Sequence, residues 1–305
     1  MASTSQSIPV NRQALLGAGF ALLAAVGFSA KAILVKLAYV DAVDAVTLLA
    51  LRMVFSVPVF LAVALWSRAN KHAAPLEKRD WLAVLALGLV GYYLSSLLDF
   101  SGLQYITAGL ERLILFLYPT MVVILSAVIF KHAIGRRELI ALALSYAGIA
   151  LAFMHDVSIS QKSIVLGAAL VFASTLTYSA YLIGAGHAIA RIGATRFTAY
   201  AMVVASTATL LQFVVTHPVS ALQLPLRVYE LGIAMAIFST VLPVFMLSAG
   251  IRLIGSGHTS LIGSIGPVAT IYLAHVFLNE AVSALQIAGS LLVLAGVLTI
   301  SLSNK

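Results

Sequence analysis

Apolar residues run along this chain in ten long blocks separated by short polar connections. The blocks cover about residues 14–38, 45–67, 81–101, 107–130 and 137–154, then 163–186, 195–216, 228–250, 258–278 and 283–302. Most approach 20 residues, the length at which a helix rising about 1.5 Å per residue crosses a hydrocarbon layer of about 30 Å. In lipid only helices and closed barrels satisfy every backbone polar group, so each block predicts a helix. The expected fold class is therefore an all-α integral membrane protein with ten transmembrane helices. Residues 1–13 are polar and predict a tail. The apolar run from Ala14 to Ala38 is too long for the core of a signal peptide and reads as a retained first span. Pairs such as Ala74-Pro75 and His217-Pro218 punctuate the connections.

Composition agrees with that pattern. Of 305 residues, 62% are hydrophobic and only 9% are charged, against about 25% charged in soluble domains. The mean hydropathy is +1.07, and no stretch is left over for a separate soluble domain. A net charge of +8 would suggest nucleic acid in a soluble chain. Here the basic residues gather in alternate connections instead. With the N-terminus inside, the inner connections hold Arg12, Arg68, Lys71, Lys78, Arg79, Lys131, Arg136, Arg137, Arg191, Arg196, Arg252 and Lys305, and the outer ones only Lys162 and Arg227. The positive-inside rule then puts both termini in the cytoplasm. Cysteine is absent, which excludes disulfides and thiolate metal sites. No metal, cofactor or nucleic-acid partner is expected. The partners expected are a small-molecule substrate and the lipid bilayer, with monomer and homodimer both open.

Part of the chain is written twice. Gly102, Ile106, Gly109, Leu113-Ile114, Pro119, Leu125, Val128, Leu144, Ala147 and Gly148 recur, 148 positions on, as Gly250, Ile254, Gly257, Leu261-Ile262, Pro267, Leu273, Val276, Leu292, Ala295 and Gly296. In so apolar a chain this predicts a carrier built from two repeats, 14–154 and 163–302. Five spans per repeat is an odd number, so the second repeat starts on the opposite side and the two are inverted.

The stretch Thr107-Ala108-Gly109, Leu113-Ile114 and Tyr118-Pro119, followed by Ser145 to Ile149, resembles the EamA repeat of the drug/metabolite transporter superfamily. The second copy, with Gly257-His258-Thr259-Ser260, Pro267, Leu278-Asn279-Glu280 and Leu294-Ala295-Gly296, is closer still. Arg52 in the second span is also similar to the family pattern, while Lys131-His132 departs from the usual Gly-Glu or Asn-Glu pair. Among branches, the chain looks most similar to YddG-type amino acid exporters. The resemblance implies a secondary transporter of the bacterial inner membrane that works by alternating access. The implied cargo is amino acids, aromatic ones included, and related amphipathic metabolites. The alternatives are another metabolite class, such as nucleobases or sugars, and an intramembrane enzyme.

Candidate site residues follow from their place in the spans. Pro119 and Pro267 are matched mid-span prolines that each remove a backbone hydrogen bond, and are expected as hinges or cavity walls. Aromatic and hydroxyl side chains near span centres suit an amphipathic ligand: Phe28, Tyr93, Ser95, Tyr118, Tyr178, Tyr181, Phe238, Ser239 and Ser264, with Ser29, Tyr92, Phe116 and Tyr272 nearby. Each of these types also serves helix packing or an interfacial belt. Lys31, Lys36, Arg52, Asp99, Glu111 and Arg112 are embedded charges, all in the first repeat. Lys36, Asp99, Glu111 and Arg112 fall near the outer ends of their spans, and Lys31 and Arg52 lie deeper but on the outer side of the midplane. They read as an ion-pair network or as an outer gate, with Lys31 or Arg52 placed to attract a substrate carboxylate. Small residues Ala141, Gly148, Gly289 and Gly296 share helix faces and predict close helix packing.

Several chemistries lack their residues. The first span has no Asp or Glu, which excludes the carboxylate-driven drug–proton antiport of the related small multidrug pumps. His275 is the one histidine expected well inside a span, and a lone histidine there is chiefly a packing partner. There is no HExxH, GxSxG, complete GxGxxG or Asp-rich diphosphate motif, so an enzyme is not expected. With no carboxylate at the membrane centre, the expected energetics are facilitated efflux.

Overall fold

The computed structural model describes residues 12–69, 75–131, 133–158 and 163–303. The predicted tail over 1–13, apart from Arg12 and Gln13, lies outside these residues, as do Lys71, His72, Ala74, His132, Lys162 and Lys305. About 88% is helical, and no strand occurs among the described residues. Ten apolar helices follow in order: α1 Arg12–Tyr39, α2 Ala45–Ala69, α3 Lys78–Leu103, α4 Ala108–Phe130 and α5 Arg136–Ser158. The second repeat supplies α6 Ile164–Ile192, α7 Ala194–Thr216, α8 Leu226–Gly255, α9 Leu261–Leu278 and α10 Ala284–Ser303. The first nine are long and apolar enough to cross a membrane, and α10 carries a shorter apolar stretch, Ala284–Thr299.

Burial is inverted relative to a soluble protein. Large apolar side chains cover the outside, Val215 at 82% exposure among them, while Ser29, Thr47, Ser56, Ser145, Ser174, Thr175 and Ser206 are buried between helices. Some of the buried hydroxyls return to the carbonyl four residues back, as Ser29 does to Ala25, Thr175 to Val171 and Thr209 to Ala205. A donor in an apolar medium is thereby satisfied without water.

The sequence repeat reappears as geometry. Both α3 and α8 carry a π-helical segment, Leu89–Leu94 and Ile237–Val241, at equivalent positions. Both α4 and α9 are broken at equivalent residues, and their second halves are Tyr118–Phe130 and Gly266–Leu278. Each of these halves ends on a left-handed residue, Lys131 (φ 54) and Asn279 (φ 53). Packing follows the same rule. Helix α1 lies on α8 and α9, as α6 lies on α3 and α4, while α2 pairs with α7 and α5 with α10. Exchanging each helix with the one five places on leaves this list unchanged, so a pseudo-two-fold relates the repeats. Exchanged partners run in opposite directions across the bundle, so the axis lies in the membrane plane and the repeats are inverted.

Two reversals need no loop. Gly193 (φ 87) turns α6 into α7, and Gly255 (φ 78) turns α8 towards α9. Only glycine takes such φ values freely. This lets α6 run on to Ile192 and α8 to Gly255, past the ends expected at 186 and 250.

The α5–α10 crossing depends on missing side chains. A Cβ on Gly148 would stand 2.5 Å from the Gly289 carbonyl oxygen, and one on Gly289 would stand 2.4 Å from that of Gly148. The symmetry-related contact places Gly296 against the Ala141 carbonyl, where a Cβ would sit 2.6 Å away. These small residues join the two repeats to each other. Gly148→Val is expected to cost about 1–3 kcal/mol through overpacking, read as a lower melting temperature of the detergent-solubilised protein. An unchanged melt would refute the crossing.

Candidate functional site

The face at which α1 begins is called the N-terminal face, and the other the far face. Strict alternation of ten helices is supported by contacts at both. At the N-terminal face, Arg191 at the end of α6 donates to Asp80 at the start of α3 (2.9 Å). At the far face, Asp44 before α2 meets His217 after α7 (3.3 Å). The Asp44 carboxyl also accepts from the Val46 and Thr47 amides at 2.9 and 3.0 Å, capping α2. Partial burial acts to raise its pKa, but the Thr47 and Val46 hydrogen bonds and the nearby His217 outweigh this and hold it below the usual carboxylate range.

In the far half of the bundle the embedded charges come together. The Lys31 ammonium of α1 donates to Asp99 of α3 and lies 2.9 Å from Glu111 of α4. Glu111 is 0% exposed, so its charge depends on this pairing. Arg52 of α2 bonds Ser96 Oγ at 3.0 Å and stacks on Phe100, 4.8 Å from the ring centroid. Arg112 is different. Its Nε, like that of Arg52, has no hydrogen-bond partner, but among the described residues it makes no ion pair and no bond like that of Arg52 to Ser96. Its guanidinium rests against Gly266, where a Cβ would come within 2.5 Å of Nη2. Its electrostatic neighbours are Glu111, Tyr118, Asp99 and Tyr178. The cluster thus holds three cations and two carboxylates, drawn from α1 to α4.

The chain breaks lie beside this cluster. In α4 the first half ends at Leu115 and the second starts at Tyr118, with Pro119 in its first turn. In α9 the break falls at Ser264-Ile265, with Pro267 placed likewise. Neither proline sits in mid-helix as a simple kink. Each begins a new half-helix, where its missing N–H and fixed φ fit best. From the α4 break a row of rings descends towards the N-terminal face: Phe116–Tyr118 (6.3 Å), Tyr118–Tyr178 (6.0 Å), Tyr178–Tyr181 (5.6 Å), Tyr181–Tyr92 (5.0 Å) and Tyr181–Phe197 (6.3 Å). Tyr92 and Tyr181 share a hydroxyl hydrogen bond of 3.0 Å, and Tyr181 packs over Gly91 in the π segment.

Other candidate residues lie apart from that row. Tyr93 donates to Gln212 of α7 (3.1 Å). Ser95 exchanges hydrogen bonds with Ser174, joining α3 to α6. Ser239 and Ser264 bond the carbonyls of Met235 and Leu261 in their own helices. Phe28 is half-buried on α1, next to Ser29, which reaches the Gly266 carbonyl of α9 (3.0 Å). Phe238 and Tyr272 are 58% and 66% exposed on the outside of the bundle. His275 lies in the last turn of α9 and bonds the Glu280 carbonyl (3.0 Å), at the far face rather than deep in a span.

The two ends of the bundle differ. At the far face the Glu280 carboxylate, in the α9–α10 connection, accepts from the Ala108 and Gly109 amides at the start of α4 (3.0 and 3.4 Å). That start is buried throughout, including Ile106, Leu110 and Leu113. The equivalent residues near the N-terminal face, Ile254 and Leu261, are only half-buried, and the position equivalent to Glu280 is His132. A small cleft opens in the same half, between Phe60 of α2, Thr195 and Thr198 of α7, and Val244 and Phe245 of α8. Glu280 stood in the sequence only as part of a family-like stretch and Gln212 not at all, because each acts through a partner distant in sequence.

Ten apolar helices in two inverted repeats, with a broken helix pair facing charges and rings, define a membrane transporter. The chain belongs to the EamA-like transporter family, whose model matches residues 15–154 and 165–302, within the drug/metabolite transporter superfamily. It is 30% identical over 284 residues to the uncharacterized transporter YcbK of Bacillus subtilis, covering 91% of this chain and 90% of that one. It is also similar to the uncharacterized transporter YyaM of the same organism, at 26% identity over 73% of this chain and 74% of that one. The uncharacterized transporter sll1319 of Synechocystis is 23% identical over 81% of this chain and 76% of its own length. A crystal structure shares the fold with a TM-score of 0.61 at 18% identity, across 95% of this chain and 97% of that one.

Two expectations follow. Lys31→Met leaves Asp99 and Glu111 buried beside each other without their cation, which is expected to cost about 3–5 kcal/mol. The check is the melting temperature, with Lys31→Arg losing much less. Glu280→Ala frees the start of α4, a loss of about 0.5–2 kcal/mol for a capping carboxylate. Hydrogen exchange is expected to speed up in the peptide spanning 104–112 and to stay unchanged across 258–263; equal protection in both proteins counts against the capping role.

Proposed function

We propose that this transporter exports amino acids, aromatic ones among them, and related amphipathic metabolites across a bacterial inner membrane. The observation that carries the reading is the row of rings leaving the α4 break, with a charged cluster at its head. Rings with hydroxyl groups suit a flat apolar body, and fixed charges suit the ends of a zwitterion. The basic residues Arg12, Lys78, Arg79, Arg136, Arg137, Arg191, Arg196 and Arg252 all belong to one face, which supports placing the N-terminal face and both termini in the cytoplasm. In that frame the Glu280 cap and the Lys31–Asp99–Glu111 group form the outer gate. The repeats rock about the breaks at Pro119 and Pro267, exposing the site to each side in turn. Asp99 and Glu111 are both paired with Lys31, which favours facilitated efflux down the substrate gradient.

Counterflow in proteoliposomes tests this reading. Vesicles loaded with unlabelled L-phenylalanine are expected to accumulate labelled L-phenylalanine transiently, with other amino acids competing and nucleobases and sugars not. No exchange of any amino acid refutes the cargo. Uphill accumulation driven by an imposed pH gradient refutes the energetics.

A further inference from the structure

Resting on that transport reading, we infer that Arg112 is the receptor for a carboxylate on the transported molecule, with Tyr118 and Tyr178 holding the flat apolar group attached to it. The sequence pointed to Lys31 or Arg52 for this task, and their contacts redirect it. The Lys31 ammonium is already shared between Asp99 and Glu111. Arg52, 6% exposed, is held by Ser96 and the Phe100 face. Arg52 and Arg112 both lack a partner at Nε, but Arg52 donates through Nη2 to Ser96, whereas among the described residues Arg112 makes neither an ion pair nor a side-chain hydrogen bond. A guanidinium in an apolar interior is costly without an anion. Its planar fork matches a carboxylate through two parallel hydrogen bonds.

Position supports the same assignment. The guanidinium lies over Gly266, the first residue of the second half of α9, and Arg112 itself is three residues before the α4 half-helix ends at Leu115. It therefore touches both breaks. Arg112, Tyr118 and Tyr178 are half-buried, as is Lys31, whereas Arg52, Asp99 and Glu111 are buried. With Lys31 shared between two carboxylates, Arg112 is the uncommitted cation that is not closed off. The excess of one cation over the carboxylates favours an anionic group and disfavours a cationic one. The repeat-equivalent position is Ser260, so the repeat does not duplicate this subsite.

The test uses a matched acid and amide, 3-phenylpropionate and 3-phenylpropanamide, which differ in the carboxylate. In thermal-shift titrations of the purified full-length protein, the acid is expected to stabilise at concentrations at least about tenfold below those of the amide, the scale of a charge-assisted hydrogen bond. Arg112→Gln is expected to bring the two within about twofold, and Arg112→Lys to keep part of the preference as a point charge without the fork. Equal binding of acid and amide by the unmodified protein overturns the inference, whether or not the variants fold. So does a preference that survives in Arg112→Gln. Phenylalanine counterflow without acid preference removes the subsite and leaves the transport reading standing. Acid preference that depends on Arg112, without amino acid counterflow, supports the subsite and removes the amino acid cargo.

Discussion

A polar group inside this bundle is costly unless the bundle itself supplies its partner. With lipid outside and no water in the hydrocarbon layer, hydroxyls turn back on their own helices and cations sit beside carboxylates. Lys31 is the clearest case: one ammonium tied to Asp99 and Glu111 connects α1, α3 and α4 in the far half. The start of α4 is positioned by the same need, since two amide donors freed at a helix terminus are met by Glu280 from the other repeat. These contacts tie α1, α3, α4 and the α9–α10 connection together at the far end.

Against this stands a symmetric scaffold. The π segments, the broken helices, the left-handed caps and the glycine crossings all occur twice, at equivalent residues. Such features are geometric and tolerate an inverted copy. The charged cluster occurs once, with Thr259 and Ser260 at the positions equivalent to Glu111 and Arg112. A duplicated frame thus carries unequal chemistry at its two ends. Burial differs with it, Ile106 being fully buried and its equivalent Ile254 only half-buried.

Much of this was legible in the residues alone. Span number, the inverted repeats and the small-residue faces of α5 and α10 follow from hydropathy, from an odd span count and from a duplication without gaps. The prolines were legible as matched points, but not as the first turns of new half-helices. Tyr118, Tyr178 and Tyr181 were recognisable as a class, and the structure sets them in one row with Tyr92. It turns Phe238 outward and uses Ser95 to join two helices.

The sequence by itself determined the membrane as solvent, ten helices, the pairing of the repeats and the type of side chain available at each depth. These depend on composition and period, which are local. Only the tertiary structure decided which charge meets which. Lys31, Asp99 and Glu111 lie far apart along the chain, and a Coulomb pair depends on distances of a few ångströms that no periodicity encodes. That is why Lys31 is committed to its carboxylates while Arg112, on the same helix as Glu111, is left facing the rings.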